Sequence, residues 1–257
     1  MENITRTLAS VHGTECLRYQ TNSLPNTLKN LKNNAYSQNE LKVLICRRYQ
    51  LAHLFEQMLE YMLEQVKYKT KFWSKAKKEK FLFAIEQNIL EEKGGVAEYG
   101  KAHIEGRKII LNALDVDYDQ EYAKIGSFDN PTGIPAARRF FKKIKKLIDL
   151  GSIETLVVLW YYENRISLSD KLGDYWIMVR AFEEAFPKWK KSKYVEGDVF
   201  WHLYSHAVHD EFHAKYCEDA LTLLSSRNSK KVQKVCEKMR VIFDEFWDSI
   251  DPKGGSQ

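Results

Sequence analysis

Glycine and proline are scarce in this chain of 257 residues, at 12 and 5. A turn-rich β architecture consumes both, so their scarcity favours helices. No apolar run is long enough to span a bilayer as a helix. The four cysteines, Cys16, Cys46, Cys217 and Cys236, stand apart with no C-x-x-C pair. That excludes a cysteine-framed metal ribbon and reads as free thiols. With no signal-peptide pattern at the start, the expected compartment is a reducing cytoplasm. An excess of one charge sign is lacking too, the net charge being +5. Lysines cluster at 75–80, 142–146 and 188–193, with acids spread between them. These read as solvated helix faces, so neither nucleic acid nor membrane is an expected partner. Strand-like alternation and internal repeats are both absent.

What is present is helical spacing. Residues 1–36 are polar and read as a loose N-terminal arm, with a short helix around Thr7–Tyr19. From Glu40 to Tyr68 the apolar residues Leu44, Leu51, Leu54, Phe55, Met58, Tyr61 and Met62 recur at helical spacing. His53 lies alone there and reads as packing or surface. A second helix runs from about Phe72 to Glu92, is interrupted at Gly94–Gly95, and a third reaches about Asn112. The segment 115–135 reads as a long connection with turn signals, a lid or a surface loop. Helices follow at about 136–150, 153–168, 172–185, 198–226 and 229–250, and residues 251–257 read as a frayed tail. The expected fold is all-α, one domain over residues 37–250, a bundle of about seven helices.

Four of the seven histidines fall between His202 and His213, in FWHLYSHAVHDEFHAKY. At about 100° per residue, with His206 at zero, His213 lies near −20°, Asp210 near +40°, His202 near −40° and His209 near −60°. All five groups project from one face of a helix, within an arc of roughly 100°. Burying so many imidazoles and a carboxylate is costly unless something binds them. A metal ion is the simplest partner that uses all of them; scattered, partly exposed histidines are the bland alternative.

Two further stretches carry isolated donors. In NILEEKGGVAEYGKAH, Glu92 and His103 would lie about 20° apart on a continuous helix. Gly94 and Gly95 either bend that helix or let the backbone approach a ligand. In LVVLWYYENRISL, Glu163 is a lone carboxylate on an apolar, aromatic helix. Buried there, it needs an arginine or a metal, and Arg165 is too near in sequence to share its face. Collected, Glu92, His103, Glu163, His206, Asp210 and His213 offer three carboxylates and three imidazoles, a set suited to iron or manganese. Helical scaffolds aim such ligands inward at dinuclear redox sites.

His206-x-x-x-Asp210-x-x-His213, Glu91-Glu92-Lys-Gly with His103 downstream, and Tyr162-Glu163 resemble the ligand pattern of heme-oxygenase-like di-iron oxidases and oxygenases. The resemblance covers about residues 40–250. It implies a heme-oxygenase-like fold of about seven helices, and two irons in place of heme. By motif position it implies ligands at Glu92, His103, Glu163, His206, Asp210 and His213, with Glu92 preferred to Glu91. It also implies dioxygen as co-substrate and a small amino acid, amine or fatty acid as the molecule oxidised. N-oxygenation, C–C cleavage and nitrile or alkene formation are the outcomes it suggests. It leaves open a homodimer and an external electron donor. Trp160, Tyr161 and Tyr162 hint at a flat amino-acid substrate, though core packing explains them equally. The chain departs from the family by an insertion at about 181–196 and by one extra residue before His103.

Other readings predict different metals. His209-Asp-Glu-Phe-His213 places two histidines four residues apart, resembling a zinc hydrolase helix, but Asp210 stands where that helix carries glutamate. No histidine has a glutamate three residues before it, which leaves the ferritin-like pattern a weak reading. A cofactor-free or mononuclear relative of the same fold, and a helical interaction module, complete the alternatives.

Overall fold

Seven consecutive residues, Leu156 to Tyr162, are buried. A helix apolar on every side belongs in the middle of a protein, and this one is where the other elements meet. The computed structural model describes residues 24–95, 103–123, 125–167, 173–224 and 226–254. In chain order the α-helices of those residues are α1 (Asn26–Lys32), α2 (Gln38–Lys69), α3 (Lys75–Glu92), α4 (His103–Ala113) and α5 (Tyr118–Tyr122). There follow α6 (Pro135–Leu150), α7 (Ser152–Ser167), α8 (Asp174–Ala185), α9 (Trp201–Leu221) and α10 (Ser229–Ser249). Short 3₁₀ turns occupy Pro187–Trp189 and Ser226–Asn228. The described residues contain no strand, only one isolated bridge between Gly126 and Pro131. The fold is all-α, in keeping with its low glycine and proline content.

Helix α7 packs most extensively on α9, and also on α10, α6, α8 and α2. Helix α9 in turn meets α3, α8 and α4. The buried apolar side chains form one connected cluster, each large one contributing about 1.5–3 kcal/mol relative to exposure. Tyr162 stacks on Phe55 at 4.4 Å between ring centroids and meets Phe243 at 5.4 Å, so that ring works in the core.

Local signals set the helix ends. Ser37 and Glu40 form a reciprocal capping box at the start of α2, satisfying two of the backbone N–H groups that a helix start leaves over. Helix α3 ends in a Schellman turn: Gly95 N–H donates to Leu90 O at 2.7 Å and Gly94 N–H to Glu91 O at 2.9 Å. Gly94 sits at φ 72°, a conformation that costs glycine little. Glu92 and His103 therefore belong to separate helices, and the continuous-helix geometry expected for them does not apply.

Residues 26–32, expected within a loose arm, form α1 instead. Leu28 and Leu31 are fully buried, and Thr27 Oγ1 donates to Trp247 O at 2.7 Å. A helix of two turns leaves too short a periodicity to read. The helix expected around Thr7–Tyr19 lies outside the described residues. The 115–135 connection carries the short α5, whose Tyr118 hydroxyl meets His53 Nδ1 at 2.9 Å. Cys46, Cys217 and Cys236 are buried free thiols. No helix among the described residues is long and apolar enough to cross a membrane.

A buried ion pair ties α7 to α8 and α10. Arg165 Nε donates to Asp174 Oδ2 at 3.0 Å and Nη1 to Asp244 Oδ1 at 2.9 Å. Trp247 Nε1 donates to the same Asp174 oxygen at 2.6 Å. Removing one member of such a pair strands the other charge. Arg165→Met should therefore lower the unfolding free energy by about 3–5 kcal/mol, read as a shifted urea midpoint. A change near zero would show that Asp174 needs no cation.

Candidate metal centre

Helix α9 carries His202, His206 and His213, all buried. The backbone of Asp210 lies between the last two on the same helix. The side chains of His209 and Asp210 lie outside the described residues. Three other helices bring their donors to this face: α3 with Glu91 and Glu92, α4 with His103, and α7 with Glu163, all four buried.

The donors fall into two groups. In the first, ligand atoms of Glu92, His103 and His206 all lie within 4.8 Å of one another. A first-row metal holds its N and O ligands about 2.0–2.2 Å away, so donors around one ion lie within about 4.4 Å of each other. The group is close to that limit. Glu92 Oε1 faces His103 Nδ1 at 2.9 Å, and the rings of His103 and His206 are 4.4 Å apart. In the second group His213 Nε2 touches Glu91 Oε2, and His213 Nδ1 lies 3.5 Å from Glu163 Oε2. Of the six residues read from the sequence, five are thus gathered in these two groups, and the side chain of Asp210 is not described. Glu91, which the motif ranks behind Glu92, is gathered as well. Adjacent residues on a helix point about 100° apart, so the two carboxylates reach different histidines.

Arg107, one turn beyond His103, joins the site without any signal in the motif spacing. It is buried, donates from Nη1 to Ala52 O at 2.8 Å, and places Nη2 3.5 Å from Glu92 Oε2. That Glu92 oxygen accepts no hydrogen bond and is available to a cation. Burial alone would raise the Glu92 carboxyl; His103, Arg107 and His206 outweigh it and hold the group well below the usual carboxylate range. His206 is pushed well below the usual imidazole range, by burial first and then by His103. His202 is lowered likewise, by burial and then by His206, Arg107, His103 and Arg48. Both rings are neutral at pH 7, the form that donates a lone pair to a metal.

His202 lies on the expected face, and its spacing alone gives it no role. Its Nδ1 meets the Tyr49 hydroxyl at 3.0 Å, and its Nε2 is buried with no hydrogen-bond partner. Its ring lies 4.7 Å from that of His206. Gly106 explains how α4 comes so near: a Cβ there would stand 2.8 Å from His202 Cβ. Sequence spacing carries no signal for such a contact, because the two residues are remote in the chain. His53, by contrast, stacks on Tyr122 at 5.5 Å and serves packing.

Comparison with known protein families finds none whose pattern matches this chain, and comparison with curated proteins finds no match either.

Gly106→Ala should force α4 away from α9, because the clashing atom is a Cβ and cannot rotate aside. Denaturant unfolding should show a loss of about 1–3 kcal/mol; wild-type stability would mean the helices separate freely. The depressed imidazoles also set a pH dependence. The unfolded chain protonates His202 and His206 near their ordinary value of about 6.5, while the folded protein resists doing so. Stability of the metal-free protein is therefore full above about pH 6.5 and falls as the pH drops below it. His202→Asn should flatten that fall in thermal midpoints measured between about pH 7.5 and about pH 5.5; an unchanged slope would contradict a neutral buried His202.

Proposed function

We propose that this chain is a non-heme di-iron oxidase or oxygenase with a heme-oxygenase-like fold, using dioxygen to oxidise a small amine or amino-acid-like molecule. The observation that carries the reading is the meeting of two donor groups on one helix face: Glu92, His103 and His206 within 4.8 Å, and Glu91 and Glu163 against His213. Carboxylate and imidazole donors without thiolate suit iron or manganese. The residues come from α3, α4, α7 and α9, and donors drawn from separate helices of one bundle are a recurrent form of dinuclear redox site. The absence of any family match leaves the resemblance of the motifs as the route to this class.

Glu92, His103 and His206 would hold one iron. Glu91, Glu163 and His213 would hold the other, with Asp210 on the turn between the histidines. When bound, the irons supply the electrons that reduce dioxygen. The protein's own groups prepare the site. Arg107 fixes Glu92 against His103, Tyr49 orients His202 beside His206, and burial keeps the imidazoles unprotonated. The aromatic packing of α7 keeps bulk water away, which protects a reactive site from side reactions.

The test is an anaerobic Fe(II) titration of metal-free protein, followed by mixing with oxygenated buffer and candidate amino acids while visible spectra are recorded. Two irons per chain and an oxygen-dependent absorbance change are expected. One zinc per chain would favour the hydrolase alternative, and no metal the cofactor-free one. His206→Ala and Asp210→Ala should lose iron and activity together, Glu91→Gln should lower the iron stoichiometry, and Lys143→Ala, which removes an exposed pair with Glu245, should do neither. An iron-loaded, fully active Asp210→Ala protein would remove that residue from the ligand set.

A further inference from the structure

The net charge of +5 is not spread evenly along the chain. Residues 67–80 hold seven lysines against one acid, Glu79, a net +6, so the rest of the chain is close to neutral. The segment spans the end of α2, the turn after it and the start of α3. Its inner side is firmly seated. Val66 and Thr70 are fully buried, Thr70 Oγ1 donates to Val66 O at 2.6 Å, and the Trp73 ring meets Phe81 edge-on at 4.9 Å. Its outer side is uncovered, with Phe72 100% exposed and Tyr68 66%. Among the described residues only Lys67 and Lys75 of the seven have a carboxylate in ion-pair range, Glu64 at 3.6 Å and Glu79 at 3.8 Å. Both are exposed pairs of little strength. A solvated helix face accounts for the lysines. It does not account for an aromatic side chain left wholly in water among them.

The same end of the bundle gathers more of both kinds of group. Lys69 Nζ donates to Ile148 O at 3.1 Å and to Asp149 O at 2.8 Å. That sets the end of α6 beside the end of α2, and Leu150 there is 62% exposed. Lys231 Nζ lies 3.1 Å from Glu154 Oε1, which brings the start of α10, with Lys230 and Lys234, to the α6–α7 turn. We propose that this end of the bundle docks on an anionic phospholipid membrane surface, with Phe72 entering the headgroup layer and the lysines of the α2–α3 turn on the lipid phosphates. Each lysine held near such a surface strengthens binding by roughly fivefold. Lysine stems lie along an interface while their ammoniums stay in water, and aromatic rings favour that depth. Nucleic acid offers the same charge, but a single strand tracks a groove and stacks its bases on a platform. A turn that projects its ring fully into solvent fits a flat sheet better. Residues 67–80 also contain no arginine, the planar fork that nucleic-acid recognition favours. Docking of this kind needs neither iron nor substrate, and so stands apart from the di-iron reading.

Co-sedimentation of the full chain with lipid vesicles tests this. One set of vesicles is phosphatidylcholine alone, and the other carries about 30% phosphatidylserine. The wild-type chain should pellet with the phosphatidylserine vesicles at about 50 mM salt, leave them at about 500 mM, and stay in solution with phosphatidylcholine alone. Phe72→Ser removes the ring without changing the charge and should weaken binding by roughly tenfold. Lys71→Glu/Lys75→Glu/Lys80→Glu, all at exposed positions, should abolish it. The control is Lys29→Glu/Lys32→Glu/Lys188→Glu, which changes the net charge equally and is exposed as well. Lys188 borders the start of α2 beside Gln38, and α1 carries Leu31 into a groove shared with Leu41, about 45 Å along α2 from the turn. That variant should bind within about twofold of wild type, since charge far from the docked face is screened. Several results would each overturn the assignment. These are no pelleting with phosphatidylserine, equal pelleting with phosphatidylcholine alone, wild-type binding by Phe72→Ser, or an equal loss in the control variant. Tighter binding of a single-stranded DNA or RNA oligonucleotide than of phosphatidylserine vesicles at the same salt would assign the surface to nucleic acid instead.

Discussion

Three carboxylates and three imidazoles buried at one helix crossing are the constraint on which the arrangement turns. A buried carboxylate is costly unless cations and hydrogen bonds hold it. Glu91 and Glu92 also sit in the last turn of α3, where the helix dipole disfavours negative charge. Neither cost helps the fold. Local choices that oppose stability while converging on one place mark a candidate functional site. The surrounding helices are arranged to bear that cost. Helix α7 is apolar on every side and seats Glu163, Gly106 admits α9 to close approach, and Arg107 stands against Glu92.

Much of this is legible in the amino-acid sequence itself. One face of α9 follows from angle alone, because a continuous helix preserves its periodicity over three turns and more. Glu163 reads as a buried charge in need of a partner, and Arg165 reads as unable to serve. In the fold Glu163 faces His213, and Arg165 is spent on Asp174 and Asp244. What fails is geometry carried across a break. The spacing of Glu92 and His103 suggests a shared face only while the helix is taken as unbroken, and Gly94 ends it. Once α3 stops, nothing in the spacing selects Glu92 over Glu91, and in the fold each meets a different histidine. Arg107 and Gly106 have no legible role at all. Their roles exist only against Glu92 and His202, and pair contacts between helices leave no period in either segment.

The interior holds two deeply buried guanidiniums in different surroundings. Arg165 is bound by two acids and a neighbouring indole that shares one of them. That is a structural use of charge, since each group satisfies another and the set ties three helices. Arg48 lies near the same acid but is set among aromatic side chains, with Tyr162 as its side-chain hydrogen-bond partner and the rings of Tyr175 and Trp247 beside it. Both guanidiniums lie in one region and differ in their partners, since acids hold Arg165 and aromatic side chains surround Arg48.

Charge then explains why the histidine face stays ready to bind. Arg48 and Arg107 both act on His202 to disfavour its protonated form, and Arg107 acts on His206 as well. Glu92 pulls His206 the other way and is outweighed by burial and by the neighbouring imidazoles and guanidinium. Burial first, and the neighbouring imidazoles and guanidiniums after it, thus hold these rings in the form that can donate a lone pair, while His103 and then Arg107 keep Glu92 ionised.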